Sequence, residues 1–263
     1  MYMYPPSDQY MYERHRYLLK HLSGGYHSLT TQYPQPNKFA YRNAIISHTS
    51  DMDSKLALIK DLTHELTQMT TLRLLNFFNL IPEFQDLSSL EKQHILTQNM
   101  LPVFMFHGAL TYDSESDTFV DRATSKRETC DRHDFTSCLD DQPYDAKYLL
   151  FVYGLRIYHS FIALARQLAS VIYQPFDSEQ IDERAHTLFL LMMVILLFST
   201  GFETNSIGVA QGDPSGSKEK FMKIQQHYVE LACRFIHDHF GMTVGRRMFQ
   251  RLVPLLLGKY QSC

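Results

Sequence analysis

The stretch that decides the fold is residues 77–96, FFNLIPEFQDLSSLEKQHIL. Apolar residues precede it at spacings of three and four from Asp53 onwards, which predicts a helix that ends or bends at Pro82. The serine pair at 88–89 then provides an N-cap for a second helix, with Glu91 in its first turn. The stretch therefore predicts a helix, a turn and another helix.

Helical patterns account for most of the remaining chain. The helix that follows the turn is expected to run to about Tyr112, although Pro102 lies within it and predicts a kink. Residues 118–120 suit a short strand. Further helices are predicted over residues 12–31, 145–173, 178–200, 217–240 and 244–260. We therefore predict an all-α fold with one small β-hairpin, a disordered segment over residues 1–10 and one domain over residues 11–263.

Composition excludes several classes of function. The 263 residues carry a formal net charge of −3 and no run of five like charges, so a nucleic-acid-binding surface is not expected. The longest apolar run, residues 188–198, is about half the length of a membrane span and predicts a helix buried on all sides. Four cysteines and an N-terminus without a signal peptide fit a soluble intracellular protein, and no membrane partner is expected.

Catalytic and metal-binding motifs are weak. Cys130, His133 and Cys138 offer three soft ligands, but their spacing matches no structural zinc module, so no metal site is predicted. The stretch 212–218, GDPSGSK, looks superficially like a phosphate loop, yet no strand precedes it and the lysine does not follow the glycine directly. We expect neither an enzyme nor a cofactor.

The stretch 77–96 resembles the signature of nuclear hormone receptor ligand-binding domains. The shared features are the aromatic start, the Pro-x-Phe of Pro82 and Phe84, Leu87, an acid at Glu91 and the aliphatic pair at 95–96. The resemblance extends over almost the whole chain and is greatest to the vitamin D receptor branch and its insect and nematode relatives. It implies a three-layer α-helical sandwich that encloses an apolar pocket for a lipid or steroid-like ligand.

Carried over by position, the resemblance implies a ligand-binding pocket. Its walls are expected to comprise Leu66, Met69, Thr70, Leu101, Phe104, His107, Thr111 and Phe119. Apolar walls would bury the ligand while one or two polar groups fix its orientation. His107 stands where the relatives have an arginine, and it is either a ligand contact or a core histidine. In the second case, Phe104, Phe106 and Phe119 fill the cavity.

The resemblance also implies a groove for transcriptional coregulators. This groove would include Leu75, Asn79, Leu96 and Thr97. Relatives hold a coactivator helix between a lysine, at the position of Asn79, and a glutamate on a final activation helix. The chain stops at Cys263, so we expect that helix to be absent and coactivator recruitment to be impaired.

A dimer interface is implied on the last helix, with a retinoid X receptor-like protein as the expected partner. Its residues would be Arg247, Phe249, Leu252, Val253 and Leu256. The expected function is transcriptional regulation in the nucleus, and also in the cytoplasm, by a domain that lacks a DNA-binding part. The alternative is a ligand-independent interaction module that sequesters or represses a partner receptor.

Overall fold

A computed structural model of the chain describes residues 6–33, 51–113, 118–119, 144–173, 183–200 and 215–258. These residues are mostly helical, which confirms the all-α prediction. The helices are α1 (Pro6–Gln32), α2 (Met52–Phe78), α3 (Pro82–Gln85), α4 (Ser89–Thr111), α5 (Lys147–Tyr153), α6 (Leu155–Tyr173), α7 (Glu183–Leu197) and α8 (Ser215–Gly258).

The β structure is a small antiparallel sheet. Its strands are β1 (Tyr112–Asp113), β2 (Thr118–Phe119) and β3 (Tyr144–Asp145), in the order β1-β2-β3. Tyr112 pairs with Phe119, and Thr118 pairs with Asp145. The sequence predicted a short strand over 118–120 within a hairpin, where β2 lies, but it did not place β1 or β3, because two-residue strands are too short to show alternation.

The helix boundaries differ from the prediction in two places. The first helix begins at Pro6, so residues 6–10 are helical and the prediction of disorder over residues 1–10 is wrong for this part. Proline is well suited to the first helical turn because its fixed φ matches the helix and its missing N–H would have no intrahelical partner. The helix predicted over 145–173 is divided at Gly154, where φ is 82°.

Helix α8 is interrupted where the sequence predicted two helices. Gly241 has φ 73° and ψ 166°, which no helix accommodates. A residue other than glycine adopts positive φ only at a steric cost, so glycine is the residue that permits this break. The break falls between the segments predicted at 217–240 and 244–260 and confirms them.

The chain divides into two compact units. The first comprises Met1–Tyr26, Phe77–Val103 and Val171–Cys263, and the second comprises His27–Asn76 and Phe104–Ser170. Helix α7 lies at the core of the first unit: residues 187–197 are all buried, which confirms the prediction of a helix buried on all sides. Tyr26 packs against Phe77 and His186 in the same unit.

A buried arginine caps the end of α1 in the second unit. Arg73 is 2% exposed, whereas its neighbour Leu72 is 43% exposed. The Arg73 side chain donates through Nε to the Tyr33 carbonyl at 2.6 Å and through Nη2 to the Thr30 carbonyl at 3.4 Å. Since the last carbonyls of a helix lack intrahelical partners, these hydrogen bonds stabilise the α1 terminus.

Asn99 performs the equivalent role for α7 in the first unit. Its side chain is fully buried, and Nδ2 donates to the carbonyls of Leu197 at 2.7 Å and Ser199 at 2.8 Å. Both carbonyls lie at the end of a helix that water does not reach. A buried carbonyl without a donor costs about 1–3 kcal/mol, so one amide group satisfies two such acceptors.

Replacing Asn99 tests this cap. We expect Asn99→Ala to lower the free energy of unfolding by about 3 kcal/mol, because both carbonyls lose their donor. Asn99→Asp should lower the free energy of unfolding still further at neutral pH. This loss should shrink as the pH falls, since burial raises the pKa of the introduced carboxyl and protonation restores a donor. Urea denaturation across pH measures both effects.

The matched control is Asn76→Ala. Asn76 also donates through Nδ2 to a carbonyl, that of Leu72 at 2.8 Å, but this bond lies at the surface. We expect the control to lose well under about 1 kcal/mol, because water replaces the lost donor. Equal losses in the Asn99 and Asn76 variants would contradict the assigned role of Asn99.

Candidate ligand and coregulator sites

Most of the predicted pocket residues belong to the second compact unit. His107 and Thr111 are buried in it. The half-buried members are Leu66, Met69, Thr70, Phe104 and Phe119. Leu101 belongs to the first unit and is 71% exposed, so it lies at the surface and we do not include it in the pocket.

Aromatic side chains fill the space beside the end of α4. The Phe161 ring lies directly against Gly108, where an added Cβ would overlap it. The Phe119 ring contacts the rings of Tyr112, at 5.5 Å between centroids, and Phe161, at 5.4 Å. The residue after His107 must therefore be glycine for Phe161 to pack this closely. This arrangement favours the expectation that side chains occupy part of the predicted cavity.

The predicted pocket segment of α2 carries a ladder of threonine hydroxyls. Thr63, Thr67 and Thr71 each donate to the carbonyl four residues earlier, at 2.7 to 2.8 Å. Thr67 Oγ1 also lies 3.5 Å from the hydroxyl of Tyr153. Because these hydroxyls are bonded within the helix, this part of α2 can contact apolar groups without leaving an unsatisfied donor.

The predicted coregulator residues Asn79 and Thr97 are uncharged. Asn79 and Thr97 are exposed, whereas Leu96 is half-buried, and all three belong to the first unit. Thr97 Oγ1 donates to the Gln93 carbonyl at 2.8 Å, so its hydroxyl is used within α4. Leu75 is half-buried and belongs to the second unit. A neutral side chain cannot neutralise the terminal charge of a bound helix as a lysine would.

The predicted dimer interface needs one correction. Leu252 is fully buried within the chain, so it belongs to the core of the first unit and is not available to a partner. Arg247 is exposed and remains a candidate. Phe249, Val253 and Leu256 lie in α8, but their side chains fall outside the described residues.

The sequence gave no indication of a cleft between α3 and the start of α8. This cleft has a volume of about 430 Å³, and its lining residues are Glu83, Asp86, Glu219, Lys220, Lys223 and Ile224. The carboxylate of Glu219 pairs with Lys223 at 2.7 Å, and Glu83 accepts a hydrogen bond from the Tyr228 hydroxyl at 2.7 Å. These contacts provide partners for several polar groups that line the cleft, which favours a structural role for those groups.

The pKa values of two groups near this cleft, Tyr228 and Glu91, are shifted. Burial, together with the hydrogen bond to Glu83, raises the pKa of the Tyr228 phenol far above its usual range. The backbone N–H of Ser88 is the main cause of a lowered pKa at Glu91, and the Ser88 side chain and Lys220 add to it. Glu91 Oε1 lies 3.2 Å from Lys220 Nζ, so the residue joins the start of α4 to the start of α8.

Ser88 and Glu91 form a capping box, which confirms the predicted helix start. The Ser88 N–H donates to the Glu91 carboxylate at 2.8 Å, and the Glu91 N–H donates to Ser88 Oγ at 3.3 Å. Each residue thereby satisfies a backbone donor of the other. The helix is anchored at the position that the sequence indicated.

The described residues contain neither a grouped set of metal ligands nor a membrane-spanning helix. Within the described residues, no three metal-ligating side chains are grouped, and Cys130, His133 and Cys138 lie outside those residues. No described helix is both long enough and apolar enough to cross a bilayer.

Comparison with known proteins does not identify the chain. No protein-family model and no curated protein matches it.

Glycine 108 provides a test of the aromatic packing. We expect Gly108→Ala to lower the free energy of unfolding by about 2 kcal/mol, because the added methyl group overlaps the Phe161 ring. Phe161→Leu should remove most of that overlap, so the double variant should be more stable than the sum of the single effects predicts. Chemical denaturation of the four proteins measures the coupling, and strictly additive losses would refute the contact.

Glu91 provides a test of the capping box. The folded pKa of Glu91 is lowered, so its stabilising contribution is complete above the unfolded pKa and is lost as pH falls through the folded pKa. We expect Glu91→Gln to cost about 1 kcal/mol or less at neutral pH. The difference from the wild type should shrink in acid.

Thermal unfolding at several pH values measures this difference. The control is Glu219→Gln, which removes an exposed pair with Lys223. It should change stability very little at any pH, because solvent screens such pairs. A pH-independent loss at position 91 would contradict the role of the charge.

Proposed function

We propose that the chain is a ligand-binding domain of the nuclear receptor type that regulates transcription. The observation that carries this proposal is the burial of the residues through which the stretch 77–96 resembles the family signature. The buried ones are Phe77, Phe84, Leu87 and Ile95. Interior side chains must fit their neighbours closely, so a resemblance at buried positions is what a shared packing would produce.

The order of the elements supports the same proposal. A short β segment follows α4 directly, and β2 falls within residues 118–120, where the hairpin is expected. Helix α7 is buried on all sides from residue 187 to its end, as a central helix of a layered helical fold would be. The long α8, interrupted at Gly241, corresponds in sequence order to the ninth and tenth helices of the family.

The proposed ligand is a hydrophobic small molecule, lipid or steroid-like. Its apolar walls would come from Leu66, Met69, Phe104 and Phe119, with Thr70 among them. His107 and Thr111 are buried polar residues, and such groups orient ligands in otherwise apolar pockets. The proposal also includes dimerisation with a retinoid X receptor-like partner. It includes weak coactivator recruitment as well, because Asn79 is neutral.

A second candidate is a ligand-independent interaction module that sequesters or represses a partner receptor. The packing of Phe161 against Gly108, next to His107, favours it, because this ring takes space that a ligand would need. The two candidates share the fold and differ in whether a cavity is left for a ligand.

Ligand uptake separates the two candidates. Native mass spectrometry of the purified chain, followed by a denatured spectrum, would reveal a bound molecule as extra mass that denaturation releases. We expect Leu66→Trp and Thr70→Trp to abolish this mass, and the uptake of a fluorescent fatty acid, because the larger side chains fill the pocket.

The matched control is Leu90→Trp, a similar enlargement at an exposed position of α4. It should retain uptake, and circular dichroism should confirm that every variant remains folded. A wild-type chain that carries no extra mass and binds no fatty acid would refute the pocket and favour the interaction module. Unchanged uptake in the Leu66 and Thr70 variants would refute the assignment of these residues to the pocket.

A further inference from the structure

Helix α5 is apolar but has no buried residue. Its sequence, KYLLFVY, contains only one charged residue, yet none of its seven side chains is buried. Short helices gain most of their stability from packing an apolar face, so an apolar helix without a buried residue has an unusual exposed surface. This surface continues into the first turn of α6.

The exposed surface is concentrated in residues 151–157, which we call the elbow. Phe151, Tyr153, Leu155 and Ile157 are between 43% and 59% exposed, within seven residues of sequence. Single exposed apolar residues are ordinary, whereas a contiguous group indicates a contact surface.

The elbow is open to solvent around Gly154. This residue joins α5 to α6 with a φ of 82°, and a Cβ added there would meet no other atom within 4 Å. Side chains on both sides of this glycine are exposed. An exposed apolar turn of this kind can insert its side chains into the interface of a bilayer.

The charged residues of α5 and the elbow are basic. Lys147 and Arg156 are exposed. The sequence has no aspartate or glutamate between Asp145 and Asp177. Basic side chains beside exposed aromatic and aliphatic side chains complement an anionic lipid surface, where the apolar groups enter the interface and the cations remain among the headgroups.

We propose that the elbow docks the protein onto an anionic lipid bilayer, with Phe151, Tyr153, Leu155 and Ile157 inserted at the interface. The protein would then lie on the membrane and would not cross it. This proposal departs from the sequence-based expectation of no membrane partner, which rested on the lack of a signal peptide and of a spanning segment and did not consider binding at the membrane surface. The basic residues and the exposed apolar side chains on both sides of Gly154 together favour lipid over an acidic protein partner, which would use the charge alone.

The elbow is also connected to the predicted pocket. The Tyr153 hydroxyl lies 3.5 Å from Thr67 Oγ1, in the same turn of α2 as Leu66 and Thr70. Docking would bring this segment close to the bilayer, so a hydrophobic ligand could be taken up from the membrane. That last step rests on the proposed function, whereas docking itself does not require a pocket.

Vesicle co-sedimentation tests the proposal. The full chain is mixed with vesicles of phosphatidylcholine alone or of phosphatidylcholine with phosphatidylserine. We expect clear binding only to the anionic vesicles, and weaker binding at high salt. The double variant Phe151→Ser/Leu155→Ser and the variant Arg156→Glu should each reduce binding by about tenfold or more, since they remove inserted groups and reverse a charge.

A matched double variant, Tyr17→Ser/Met222→Ser, removes two other exposed apolar side chains and should bind as the wild type does. Failure of the wild type to bind anionic vesicles would overturn the proposal, as would an equal loss in this control. Conversion of a wild-type dimer to a monomer by the elbow variants, without an effect on vesicles, would also overturn it in favour of contact between copies. Fatty acid uptake is measured separately, so a failure of the proposed pocket is distinguishable from a failure of docking.

Discussion

The first compact unit depends on a helix that is buried on every side over its last three turns. Residues 187–197 of α7 are buried on every side, which removes a large apolar area from solvent and provides much of the driving force for folding. The same burial creates a difficulty, because the carbonyls at the helix end lose their water. Asn99 resolves it with a single amide group that serves two carbonyls. The apolar helix and the buried asparagine therefore require each other.

Hydrophobic spacing made the helices predictable, but it was a poor guide to which polar residues are buried. Apolar spacing along α2 does not distinguish Leu72 from Arg73, and the structure buries the arginine while exposing the leucine. The reason lies elsewhere in the chain, because Thr30 and Tyr33 have carbonyls that need a donor. A one-dimensional pattern contains no information about which helix terminus will lie nearby. The capping box of Ser88 and Glu91 was predictable because both partners are local.

The candidate pocket also combines features that the sequence could indicate with contacts between distant residues that it could not. That His107 and Thr111 are buried agrees with their spacing on α4, which the resemblance supplied. The ring of Phe161 against Gly108 was not foreseen, since the two residues are far apart in sequence and a lone glycine within a helix gives no indication of its neighbour. For the same reason the hydrogen bond between Glu83 and Tyr228 was missed. Contacts of this kind require the fold before they can be recognised.

The interruption of α8 has a consequence for length. An uninterrupted helix of 44 residues would extend about 66 Å, roughly twice the width of a small domain. The positive φ of Gly241 divides that rod, and Gly245 then comes so close to Ile236 that an added Cβ would overlap its side chain. One glycine permits the change of direction and the other permits the close return. The two halves of α8 therefore contact each other across the break. A substitution at Gly241 would strain the backbone, whereas a substitution at Gly245 would clash with Ile236.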